Sequence, residues 1–145
     1  MEAKDLMIGD WVDFYHPYEP EKKIVTRHRV TDIYGSCLDG LFGISNHNNP
    51  VHADHIEPVK ITPEILENNG FNVKRYFDGD YYADIMFEDQ GRRVEIEYRY
   101  GVDIDVCVIG RNNTPPFSRI ETQVRYIHEL QHIFRIMQIN KEIVF

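Results

Sequence analysis

Several features that would announce a chemistry are absent from this chain. No run of about 18 apolar residues occurs, so the sequence offers no membrane-spanning helix. Lysine and arginine never run longer than pairs such as Lys22-Lys23 and Arg92-Arg93, so no basic stripe tracks a phosphate backbone. Cysteine is confined to Cys37 and Cys107, too few for a disulfide framework, and both read as thiols of a reducing compartment. There is no G-x-S-x-G string, no glycine-rich phosphate loop and no legible Ser–His–Asp set. Residues Met1-Glu2-Ala3-Lys4-Asp5 lack a basic segment leading into an apolar one, which points away from a secretory signal and towards the cytoplasm.

What is present is an ordinary globular composition. The 145 residues are 42% hydrophobic and 28% charged, enough for one core or two small ones. Acidic residues number 24 against 16 basic, a net charge of −8, which disfavours nucleic acid as a partner.

Turn signals and β-branched residues fill the first 58 positions. Leu6-Met7-Ile8-Gly9-Asp10-Trp11-Val12 opens a strand pattern, residues 22–34 continue it, and Gly35, Gly40 and Gly43 punctuate a third. Short strands with little helix predict an SH3-like small β-barrel over residues 1–58. Its aromatics Trp11, Phe14, Tyr15, Tyr18 and Tyr34 supply a core and leave material for a groove.

Residues 59–145 read as a second domain. Thr62 can cap a helix whose first position is Pro63 and whose end is Gly70. Period-two alternation then recurs around Tyr81–Phe87, Val94–Tyr98 and Val102–Val108, predicting an antiparallel sheet with one wet face. Cys107 falls within that apolar pattern and reads as core. Ile120, Val124, Ile127, Leu130, Phe134 and Met137 recur at three and four, predicting one long helix from about residue 120 to 137 that covers the sheet. The expected class is therefore α+β.

Three clusters could carry chemistry. His128-Glu129-Leu130-Gln131-His132 matches H-E-x-x-H, in which two imidazoles four apart on a helix hold zinc and the glutamate activates a bound water. Against that reading, a third ligand is not evident, since Glu142 is the one acidic residue after His132. The flanking Arg125 and Arg135 also disfavour a dication. His47, His52, Asp54 and His55 form a second candidate metal cluster, or simply a solvated turn. Glu95, Glu97, Asp103 and Asp105 could bind a cation, or form the wet face of the sheet, which is the reading preferred here.

Three stretches carry a resemblance. They are Leu6-x-Ile8-Gly9-Asp10-Trp11-Val12, then Ile56-Glu57-Pro58-Val59-x-Ile61-Thr62-Pro63-Glu64-Ile65-Leu66 with Asn69-Gly70-Phe71, and Tyr126–Phe134. Together they resemble a family of small uncharacterised proteins of gut-bacterial genomes, often in prophages and mobile elements. Members commonly read Tyr-Val-His-Gln-Leu-Gln-Asn-Leu-Tyr in the last helix, where this chain has Glu129 and His132. By that comparison the zinc-like string arises from a non-metal pattern. The resemblance carries over no activity and no site residue.

The sequence-level expectation is a non-enzymatic binding or adaptor protein of a prophage or mobile element, cytoplasmic, with a protein partner and without a cofactor. Two alternatives accompany it. One is a zinc hydrolase using His128, His132 and Glu129. The other is an inhibitor of host defence that binds a protein or a nucleotide. The sequence does not fix the oligomeric state.

Overall fold

The computed structural model describes residues 6–15, 25–34, 40–88, 90–99, 104–110 and 119–145. Two compact units divide the chain, Met1–Val59 and Lys60–Phe145.

The first unit is one five-stranded antiparallel sheet. Its strands are β1 (Trp11–Tyr15), β2 (Val25–Tyr34), β3 (Leu41–Ile44), β4 (Val51–His52) and β5 (Ile56–Pro58), in the order β4-β3-β2-β1-β5. The expected SH3-like barrel is not there, because β4 and β5 stand at opposite edges and the sheet stays open. Alternation along β1 buries Val12 and Phe14, which join Leu6, Val30, Phe42, Ile44, Val51 and Ile56 in one core. Gly9, at φ 93°, turns the chain so that its N–H donates to Val30 O at 2.7 Å, and buried Asp10 accepts from Met7 N at 2.7 Å.

On the other face of β1, Asp13 pairs with Arg27 at 2.8 Å, and the Tyr15 hydroxyl donates to Glu57 Oε2 at 2.7 Å. That hydrogen bond is the main reason the Tyr15 phenol is pushed up to about 12, with burial and the charges of Glu57 and Asp13 adding to it. A phenol whose folded pKa lies above its unfolded value stabilises the fold fully below the unfolded value. The contribution is then lost as pH rises through the folded one. The stability difference between wild type and Tyr15→Phe is therefore expected to shrink between about pH 10 and pH 12. Denaturant unfolding followed by Trp11, the single tryptophan, reads it; a difference that stays constant across that window contradicts the assignment.

The second unit carries another five-stranded antiparallel sheet, in the order β10-β9-β8-β7-β6. Its strands are β6 (Asn72–Arg75), β7 (Tyr81–Phe87), β8 (Arg92–Tyr98), β9 (Ile104–Gly110) and β10 (Arg119–Val124). Helix α1 (Pro63–Asn68) precedes them, and α2 (Ile127–Ile136) follows. The local signals act as expected at α1. Thr62 Oγ1 accepts from Ile65 N at 3.3 Å, and Gly70, at φ 84°, lets Phe71 N return to Leu66 O at 3.0 Å. Tyr81, Ala83, Val94, Ile96, Ile104, Val106, Val108 and Val124 are buried on this sheet.

The long covering helix is the main correction. Residues 119–124 are not helical but form β10, registered on β9 from Arg119↔Ile109 to Val124↔Ile104. α2 is only ten residues long. Ile120 and Val124 fit a helical spacing, yet Ile120, Thr122 and Val124 also alternate and are all β-branched. An open edge of β9 decides between the two by supplying partners for the backbone. Among the described residues the protein is consequently mostly β, with two antiparallel sheets and two short α-helices, rather than α+β. Among the described residues no helix is long and apolar enough to cross a membrane.

Candidate functional site

The H-E-x-x-H string occupies the start of α2, and its position there changes its meaning. Tyr126 is the N-cap, so Glu129 is the third helical residue. Its Oε2 accepts from Arg125 N at 2.6 Å and Tyr126 N at 3.1 Å. A carboxylate here satisfies backbone donors that have no partner inside the helix, and it also complements the helix dipole. The glutamate to which the zinc-hydrolase alternative assigns water activation thus holds the helix start.

The two imidazoles are close but differently placed. Their ring centroids are 5.7 Å apart at 70°. His128 is buried and lies parallel to the Tyr126 ring at 5.8 Å and 9°, whereas His132 is half-buried. Gln131, between them, is buried as well. Among the described residues, no three histidine, cysteine or carboxylate side chains converge as a metal site.

In the second cluster His52 Nδ1 lies 3.1 Å from Asp54 Oδ2, and among the described residues no third ligand joins them. His47 Nδ1 binds Asn49 O at 2.8 Å and its ring meets Phe14 edge-on. His52 Nδ1 accepts from Asp54 N at 3.3 Å, capping a short 3-10 turn over Ala53–His55. Of the aromatics read as groove material, Phe14 is core and Trp11 lies beneath the Arg29 guanidinium at 4.7 Å. Tyr34 is exposed. Tyr18 and Cys37 lie outside the described residues, as does Asp103.

The acidic set forms the outer face of the second sheet. Glu97↔Asp105 and Glu95↔Cys107 are cross-strand pairs, and Cys107 is a half-buried free thiol on that face rather than a core residue. Val106 and Val108 take the inward positions on either side of it. Asp84 and Glu95 share Arg93, at 3.0 and 3.2 Å.

Two features of the second unit escaped the sequence reading. The first is a projecting tip between β6 and β7, Tyr76-Phe77-Asp78-Gly79. Asp78 and Gly79 both take positive φ, 71° and 85°, and Phe77 is 96% exposed beside the exposed Tyr76. The Asp-Gly pair was its available signal, since that dipeptide favours a tight turn. The second is a cleft of about 540 Å³ whose lining includes Lys60, Tyr81, Tyr98, Arg125 and Tyr126. Those residues are scattered through the sequence and have no motif. Compared with protein-family models, curated proteins and solved structures, the chain matches none.

Proposed function

We propose that this chain is a non-enzymatic binding protein of a prophage or mobile element, acting in the cytoplasm through a protein partner that it engages with the Tyr76–Phe77 tip. The resemblance of its termini and centre to small proteins of mobile elements supports the setting. The observation that carries the binding role is Phe77, 96% exposed on a turn held by two positive-φ residues. Leaving so large a ring in water forfeits roughly 1.5–3 kcal/mol that burial against a partner would recover. Aromatic anchors of this kind dominate protein interfaces. The commitment of Glu129 to the helix start supports a binding role over the hydrolase.

A photocrosslinking phenylalanine analogue at position 77, expressed in the native host, tests the proposal. One discrete adduct with one protein is expected, and it is lost when Tyr76 is also changed to Ser. Free chain alone, or a smear of unrelated adducts, contradicts it. Tyr76→Ser, at an exposed position, should leave stability within about 0.5 kcal/mol, so loss of the adduct would not reflect unfolding.

A further inference from the structure

We infer that the cleft lined by Lys60, Tyr81, Tyr98, Arg125 and Tyr126 binds a small planar anion, an aromatic ring carrying one phosphate or carboxylate. This goes beyond the protein contact proposed above and uses different residues. A cavity of about 540 Å³ suits a ligand of that size. Among the described residues, its ionisable lining other than tyrosine is two cations, Lys60 and Arg125, on a chain whose net charge is −8. Glu64 and Glu67 bind Arg75, and Glu129 is turned to the start of its own helix. Lys60 is exposed and its backbone bridges to Tyr126, which holds the base of its side chain at the cleft.

The aromatic component is built from three tyrosines. Tyr81 and Tyr98 stack at 5.3 Å and 23°, and the ring of Tyr126 is backed on one face by His128. Stacked platforms of this kind accept a further flat ring. The Tyr81 side chain is 3% exposed, and its hydroxyl is buried with no hydrogen-bond partner among the described residues. Burial holds that phenol well above its ordinary range, with Tyr98 and Glu64 adding to the effect, so it remains a donor. A buried donor left unmatched is costly, and an oxygen of the ligand would satisfy it.

Ligand-observed NMR and calorimetry on the full chain test the inference. The probes are AMP and 4-hydroxybenzoate, with adenosine as the ring without an anion and inorganic phosphate as the anion without a ring. At least one anionic ring is expected to bind with a Kd below about 1 mM, both controls at least about tenfold more weakly. AMP binding more tightly than 4-hydroxybenzoate assigns the anion as phosphate, and the reverse order as carboxylate. Lys60→Ala, at an exposed position, and Tyr81→Phe, which removes only the hydroxyl, should each weaken that binding by about fivefold or more while both variants keep the wild-type melting temperature within a few degrees. Failure of both anionic rings to bind at 5 mM, or affinity unchanged in both variants, would overturn the inference. The Phe77 adduct is independent of either outcome.

Discussion

Phe134→Ala is expected to cost about 3–5 kcal/mol and to lower the melting temperature of the second unit by more than about 10 °C. Phe134 is fully buried on α2 and meets Phe87 of β7 edge-on, ring centroids 6.2 Å apart at 76°. Truncation removes the transfer energy of the ring, leaves a cavity in a packed core, and deletes the aromatic pair. Ile136 supplies the internal control. It lies two residues further along the same helix but is 62% exposed, so Ile136→Ala should stay within about 0.5–1 kcal/mol. Calorimetry of the two variants separates burial from helix propensity, because both replace an apolar side chain in one helix by the same residue. Equal losses would mean that the buried face of α2 has been assigned wrongly.

Asn69→Ala is expected to cost about 2–3 kcal/mol. Its amide is a three-way clamp. Nδ2 donates to Ile65 O at 2.8 Å and to Val144 O at 2.8 Å, and Oδ1 accepts from Val144 N at 2.9 Å. The side chain is 98% withdrawn from water, at 2% exposure, so breaking the clamp strands polar groups at the end of α1 and frees the segment that carries buried Ile143. Asn69→Asp loses both donors and sets a buried carboxylate oxygen against the Ile65 and Val144 carbonyls, so at neutral pH it should cost at least as much as Asn69→Ala. Removal of residues 143–145 provides the second arm of a double-mutant cycle. The two losses should be clearly less than additive, since they delete the same bonds. Additive losses would show that Asn69 stabilises α1 alone.

Legibility in the sequence followed the range of the interaction. At α1 every determinant is local, from the Thr62 cap to the positive φ of Gly70, and the element was readable. The strands β7, β8 and β9 were readable because each shows its own alternation and each pairs with its neighbour in the chain. The failures required long-range knowledge. Whether Ile120–Val124 continues a helix or pairs with β9 depends on an open strand edge, which the segment does not encode alone. Whether the first sheet closes depends on β4 and β5 meeting, and they do not.

The helix boundary bears on the zinc-hydrolase alternative. A helix beginning at 120 puts Glu129 in mid-helix, where its neighbours suggest a zinc ligand set. A helix beginning at Ile127 makes the same glutamate an N-terminal cap. The tip at Phe77 and the cleft at Tyr81 were invisible for a different reason. Both depend on which side chains water reaches or fails to reach after folding, and Lys60, Tyr98 and Arg125 converge only through the fold.

Whether Glu129 holds a helix start or a zinc-bound water separates the capping assignment from the zinc-hydrolase alternative. The most direct measurement is the unfolding free energy of Glu129→Ala against wild type, taken once in zinc and once in chelator. A loss of about 1 kcal/mol in both media is the predicted result, as expected for a deleted cap. No loss in chelator, together with zinc stabilisation of the wild type that His132→Ala removes, would contradict it.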